Sequence, residues 1–213
     1  MFEEILSKDA KESLALLGKS KFLQDAYMAG GTALALQIGH RLSHDFDFFT
    51  AKEFNENILV QRIKKLIPEF QLERTEWGTI LGYIEKTSFS LFYYTYPLLF
   101  KTHNFLGVSI ADIKDIAPMK IAAISDRGTK RDFIDLYFII EIEKILSLQG
   151  ILELYDRKFK TLKQNKLHIL KSLTYFDDAE QGEMPEMIRD VSWKEVKKFF
   201  GRKVKNLSKE FFI

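Results

Sequence analysis

The chain contains no cysteine among its 213 residues. Disulfides, thiolate nucleophiles and cysteine-held zinc are therefore excluded. It also lacks an excess of either charge, since 32 basic residues stand against 30 acidic ones for a net charge of +2. The bulk field therefore does not mark the chain as a nucleic-acid binder, although local basic patches stay open. No uncharged apolar run approaches the roughly 18 residues that a membrane-spanning helix needs, so no membrane partner is expected. The start, Met1-Phe2-Glu3-Glu4, has no basic segment backed by an apolar one. No secretory signal is expected there, and the default compartment is the cytoplasm. Repeats, low-complexity segments and flexible linkers are missing as well. What is abundant is apolar and aromatic: 46% hydrophobic residues and 19 phenylalanines, enough for a sizeable core. The length fits one domain, or a domain with an appended helical part.

One stretch organises the rest. An apolar run, Ala26 to Ala29, leads into Gly30-Gly31-Thr32, a short helical pattern follows, then a polar loop, His40-Arg41-Leu42-Ser43-His44, and then Asp45-Phe46-Asp47-Phe48-Phe49. On a strand, Asp45 and Asp47 face one way while Phe46 and Phe48 face the core. Two carboxylates about 7 Å apart on one face repel unless a cation sits between them. A hard divalent ion such as Mg²⁺ meets that need. The glycines let the backbone approach a ligand, and the N–H groups at the start of the following helix suit a phosphate. A phosphate cradle beside metal-binding carboxylates is the chemistry of phosphoryl or nucleotidyl transfer.

Further along, Lys8 to Lys19 reads as a short amphipathic helix. A second helix, capped by Asn55 and closed by Pro68, carries Ile58, Leu59, Ile63, Leu66 and Ile67. Phe70 to Pro97 turns to strands, with Gly78 and Gly82 expected at hairpins or bends, and Val108 to Ile110 suggests one more. Asp112, Asp115 and Pro118 suit a helix N-terminus, followed by a helix through Lys120 and Arg127 that ends at Gly128. The next helix starts near Lys130 and places Asp132 and Asp135 on one face. Ile139 to Leu146 should continue it, with Gly150 beyond its end. Phe159 to Leu173 fits one or two more helices, 174–180 an acidic loop, and Ser192-Trp193-Lys194-Glu195 a capping box opening the last helix. The basic residues of that helix, Lys197, Lys198, Arg202, Lys203 and Lys205, form a solvated face or meet RNA.

The glycine turn followed by an Asp-x-Asp strand resembles the first motif of the polymerase-beta-like nucleotidyltransferase superfamily. More closely, Gly30-Gly31-Thr32-Ala33-Leu34 with Arg41-x-Ser43-x-Asp45-x-Asp47 is similar to the AbiEii/AbiGii-type toxin family. So are Lys120 through Tyr137 and the Tyr175-to-Glu180 stretch. The resemblance spans Met28 to Phe200 and implies an α+β fold, a nucleotidyltransferase-like mixed sheet flanked by helices. The division expected is a core over residues 1–110 and a helical C-terminal part over 111–213, packed on the core. It further implies a Mg²⁺- or Mn²⁺-dependent transfer of a nucleoside monophosphate from a nucleoside triphosphate (NTP) to an RNA, such as tRNA, or to a protein, by a toxin with a cognate antitoxin protein.

On this reading Asp45 and Asp47 hold the metal and, with Lys120, are catalytic. Gly30, Gly31, Thr32, Arg41, Ser43, Lys120, Arg127, Asp132 and Asp135 bind the nucleotide. A triphosphate brings about four negative charges, and a lysine neutralises the part that metals miss. Lys120, Arg127, Asp132 and Asp135 also suit an ion-pair lattice between two helices. The superfamily places a third carboxylate on a strand beside Asp45 and Asp47, where it holds a metal or takes the acceptor's proton. Here no Asp or Glu stands between Thr87 and Leu99; Ser90 is the best positional match, and Glu85 precedes the strand. A nucleotide-binding protein with impaired chemistry therefore stays open, as does a metal-dependent nuclease or phosphodiesterase.

Overall fold

The computed structural model describes residues 1–160, 162 and 166–211. The chain divides into two compact units, Met1–Asp112 and Ile113–Ile213.

The first unit is built on one seven-stranded sheet. Helix α1 (Lys8–Gly18) precedes β1 (Ala26–Ala29), helix α2 (Gly30–Ile38) follows without a linker, and the chain returns as β2 (Phe46–Thr50). Helix α3 (Glu56–Leu66) leads to β3 (Phe70–Glu76), β4 (Thr79–Ile84) and β5 (Thr87–Tyr93), and then β6 (His103–Phe105) and β7 (Val108–Ile110). The order across the sheet is β3-β4-β5-β2-β1-β7-β6. Strand β2 lies antiparallel to β1 and parallel to β5, and β1 is parallel to β7. The sheet is mixed, as expected.

The alternating Asp-Phe pattern sets the faces. Phe46 and Phe48 are fully buried with Met28 and Phe89, while Asp47 and Phe49 are half-buried on the other side. Phe89 sits 5.7 Å, ring to ring, from both Phe48 and Phe70. Each such buried ring contributes about 2–3 kcal/mol, so this packing fixes the register of β2 against β5.

Gly78 forms the β3–β4 turn with φ +67°, but Gly82 does not bend the chain. It lies inside β4, where a Cβ would come within 2.6 Å of the Phe70 ring. The expectation of a bend there fails because a missing side chain also serves close packing inside a strand. Strand β6 escaped the sequence. Its two-residue turn, Leu106-Gly107, has φ +52° and +83°, and a leucine in place of the usual Asn or Asp hides the hairpin signal.

The second unit is helical: α4 (Ile113–Asp126), α5 (Lys130–Tyr137), α6 (Leu148–Lys158), α7 (Lys166–Ser172), α8 (Asp177–Glu180) and α9 (Trp193–Phe211). Pro118 was expected in a first turn, yet α4 starts five residues earlier and encloses it. The proline forfeits one backbone bond, and the burial of Ile116, Ala117, Ile121 and Ile124 offsets that loss. A π-helical turn over Phe138–Ile142 follows α5. Gly150 was expected beyond a helix end but lies in the first turn of α6, where its N–H donates to the Ser147 cap at 3.0 Å.

Of the stretch Phe159 to Leu173, positions 161 and 163–165 lie outside the described residues; α7 covers the second half. The acidic loop contains the short helix α8. The capping box forms as expected, with Glu195 N–H donating to Ser192 Oγ and Ser192 N–H donating to Glu195 Oε2. Phe133 anchors this unit, its ring 5.1 Å from Phe176 and 5.3 Å from Phe200. Three basic residues of α9 join local ion pairs, Lys197 with Glu180 and both Arg202 and Lys203 with Glu141. Among the described residues no helix is long and apolar enough to cross a membrane.

Candidate active site

In the first unit, the glycine turn, the polar loop and the acidic strand fold onto one another. Gly30 has φ +75°, a conformation that costs an L side chain about 1–2 kcal/mol. It swings the chain straight from β1 into α2. A Cβ on Gly30 would stand 2.7 Å from Asp47 Oδ2, so that carboxylate lies against the first turn of the helix. A Cβ on Gly31 would collide with the Arg41 guanidinium. Arg41 is buried and also donates to the Leu42 carbonyl at 3.0 Å. Thr32 Oγ1 and Ser43 Oγ are 2.8 Å apart, both buried. The loop that carries Arg41 and Ser43 thus braces the amide-bearing end of α2. Six of the predicted residues meet here: Gly30, Gly31, Thr32, Arg41, Ser43 and Asp47.

Asp45 precedes β2 by one residue and is half-buried, like Asp47. Its charge acts on the Tyr83 hydroxyl, which is held above its ordinary value first by the charge of Glu73, then by a hydrogen bond to Glu73, by burial and by Asp45. Tyr83 pairs with Ser88 of β5, two residues before Ser90, which pairs with Asp47. Paired residues project to one face, so Asp47, Ser88, Ser90 and Tyr83 share it. Ser90 stands beside Asp47. Glu85 sits in the β4–β5 turn, exposed, at φ +53°.

Among the described residues no three His, Asp or Glu side chains gather as a metal site. The donors present still suit a hard cation, because Mg²⁺ binds one or two carboxylates and completes its shell with substrate phosphate and water. Farther along the same face lies an aromatic floor. Phe49 stands 5.9 Å from Tyr27, 5.4 Å from Phe92 and 5.0 Å from Tyr94.

In the second unit the other predicted residues come together as ion pairs. Lys120 Nζ lies 2.8 Å from Asp132 Oδ1 and 2.6 Å from Asp135 Oδ2, with the lysine side chain 7% exposed. Thr129 Oγ1 donates to Asp132 Oδ2 at 2.6 Å, and Arg127 Nε approaches the same oxygen at 3.5 Å. Burial pushes the Asp132 carboxyl up, but Lys120's charge and hydrogen bond, with Thr129 and Arg127, outweigh it and hold the group below its ordinary value. The ion-pair lattice allowed by the sequence does form.

A second buried pair was not foreseen. Lys158 Nζ meets Asp115 Oδ1 at 2.8 Å with both side chains fully buried, and burial lowers the lysine's pKa against the pull of Asp115. One signal existed: Lys158 continues the apolar stripe of Ile151, Leu154 and Tyr155 on α6.

Comparison with known proteins fixes the family. The sequence profile of the nucleotidyl transferase AbiEii toxin family, of type IV toxin–antitoxin systems, matches residues 14–97 and 91–210. The chain belongs to the AbiEii nucleotidyl transferase family. It is 38% identical over 211 residues to an uncharacterized protein of Aquifex aeolicus, covering 94% of this chain and 96% of that one. Two Helicobacter pylori crystal structures share the fold at 21% identity. One, described as a proposed nucleotidyltransferase, has a TM-score of 0.54 with 96% of each chain covered. The other, JHP933, has a TM-score of 0.53, with 96% of this chain and 94% of that one covered. The expected family, nucleotidyltransferase class and α+β fold all hold.

Proposed function

We propose that this AbiEii-family chain transfers a nucleoside monophosphate from an NTP to a hydroxyl of an RNA or a protein. It does so as the cytoplasmic toxin of a toxin–antitoxin pair whose partner is a protein antitoxin. The observation that carries the chemistry is the contact of Asp47 Oδ2 with the Gly30 turn. It puts a hard oxygen ligand beside backbone amides at a helix N-terminus, so that one triphosphate engages both. Asp45 and Asp47 would hold Mg²⁺, which when bound neutralises phosphate charge and lowers the pKa of the attacking hydroxyl.

The chain's own residues do the rest. The amides of Gly30, Gly31 and Thr32 hold the β- and γ-phosphates. Arg41 and Ser43 act on the triphosphate through the turn they brace. The acceptor oxygen bonds to the α-phosphorus, the bond to the bridging oxygen breaks, and pyrophosphate leaves with that electron pair. Lys120, with Arg127, Asp132 and Asp135, is the further nucleotide-binding group in this reading, and Arg127, with its side chain 66% exposed, is the cation of the set that solvent reaches.

Incubation with each radiolabelled NTP, Mg²⁺ and total cellular RNA or protein tests the proposal. Label should enter a macromolecule with release of pyrophosphate, and Asp47→Asn should abolish it. Bound NTP without transfer would favour impaired chemistry, which the serine beside Asp47 makes the specific rival. Nucleotides released from RNA without any NTP would mark a nuclease.

A further inference from the structure

The transfer proposed above has a direction. Phosphorus exchanges oxygens in line, so the attacking hydroxyl and leaving pyrophosphate lie on opposite sides of the α-phosphorus. With the phosphates on the amides of α2, on the β1 side of Asp47, the acceptor must enter from the opposite side, over β5. The register shows what stands there. Asp47 pairs with Ser90, and Ser90 with Leu81. One pleat earlier, Ser88 pairs with Tyr83, and Tyr83 with Gln71.

Strands are about 4.8 Å apart, so Tyr83 of β4 stands roughly 10 Å across the sheet from β2, with Ser88 of β5 between them. A serine is short, and it leaves a trough that the tyrosine ring can lean across. On β3, Gln71 pairs with Tyr83, and alternation puts the residue two positions on, at the register shift between Leu72 and Arg74, on the same face. That residue is Glu73, whose charge and hydrogen bonding hold the Tyr83 hydroxyl above its ordinary value. Tyr83 is 42% exposed and Glu73 is exposed as well, so the seat is open to a ligand.

We propose that Tyr83, fixed by Glu73, seats the attacking hydroxyl of the acceptor over Ser88. The inference rests on the nucleotidyl-transfer reading and adds the acceptor side to it. A phenol has one proton to donate. With that proton committed to Glu73, Tyr83 Oη presents lone pairs, so the acceptor hydroxyl donates to it and its own lone pair turns toward phosphorus. As the new oxygen–phosphorus bond forms, pyrophosphate departs and the acceptor's proton passes to solvent. Tyr83 and Glu73 are positioning residues in this scheme. Ser88, short and half-buried, leaves room for the sugar or side chain that carries the hydroxyl.

The test uses the full chain, Mg²⁺, labelled NTP and total cellular RNA as the probe. Tyr83→Phe and Glu73→Gln should each raise the apparent KM for RNA about three- to tenfold, the value of one neutral hydrogen bond. The KM for NTP and the melting temperature should stay unchanged, and the double variant should be no worse than Tyr83→Phe alone. An unchanged KM for RNA, or an equal rise in the KM for NTP, overturns the seat. If the wild type labels no RNA, transfer to RNA is what has failed, and a crystal of the complex with Mn²⁺ and a non-hydrolysable NTP decides the seat separately. An α-phosphorus whose open side faces Ser88 and Tyr83 supports it; phosphates lying over β5 overturn it.

Discussion

Asp47 in the first unit and Asp132 in the second were both read from the sequence as site residues, yet their surroundings differ. Asp47 is half-buried on a sheet face, with a glycine turn on one flank and a serine on the other. Asp132 is 2% exposed and held by a lysine, a threonine and an arginine. Asp115, paired with Lys158, has no exposure at all. A buried carboxylate paired with a cation adds to cohesion as well as to any site it belongs to, whereas a half-buried one stays within reach of a ligand from solvent. The comparison predicts that substitutions in the two units separate stability from activity.

The largest effect should fall on the fully buried pair. Lys158→Met leaves Asp115 as an uncompensated buried charge and should cost about 3–5 kcal/mol. Chemical denaturation would measure it, and adding Asp115→Leu should recover most of the loss. A stability unchanged by Lys158→Met would dissolve the contrast between the units.

Asp47→Asn should act in the opposite sense. Transfer should fall at least about a hundredfold, some 2.7 kcal/mol of barrier, with the melting temperature nearly unchanged. Lys120→Ala sharpens the comparison: a large stability loss with unchanged NTP affinity would make that cluster wholly structural, while weaker NTP binding in a stable variant would join it to the chemistry.

Gly30→Ala should cost about 1–2 kcal/mol for its left-handed backbone. Because the new methyl would press on Asp47 Oδ2, transfer should drop by more than that stability loss explains, as parallel kinetics and melting would show. The smallest effect is acid sensitivity. The folded pKa of Asp132 lies below its ordinary 3.8, so its contribution is fully present above that value and fades as pH falls through the folded one. Melting curves below about pH 4 should therefore fall more steeply for the wild type than for Asp132→Asn.

The sequence by itself determined the faces of β2, because alternation of Asp and Phe has only one buried solution. It also determined the glycine turn before a helix and the Ser192–Glu195 capping box, which depend on residues near one another in the chain, and the family, whose motifs are each local. Tertiary structure alone decided the rest. That Ser90 stands beside Asp47 depends on the pairing of strands 43 residues apart. The Lys158–Asp115 pair depends on two helices meeting, and local propensity carries no information about that contact. The same holds for Gly82, whose role was set by the ring of Phe70 on the neighbouring strand. Pro118 looked like a helix start and became a helix interior because burial of its neighbours outweighs one missing hydrogen bond. Glu73 carried no sequence signal at all. The pairing of Gln71 with Tyr83 puts Glu73, two residues on, on the face of Tyr83, and register is a property of paired strands that neither strand holds alone.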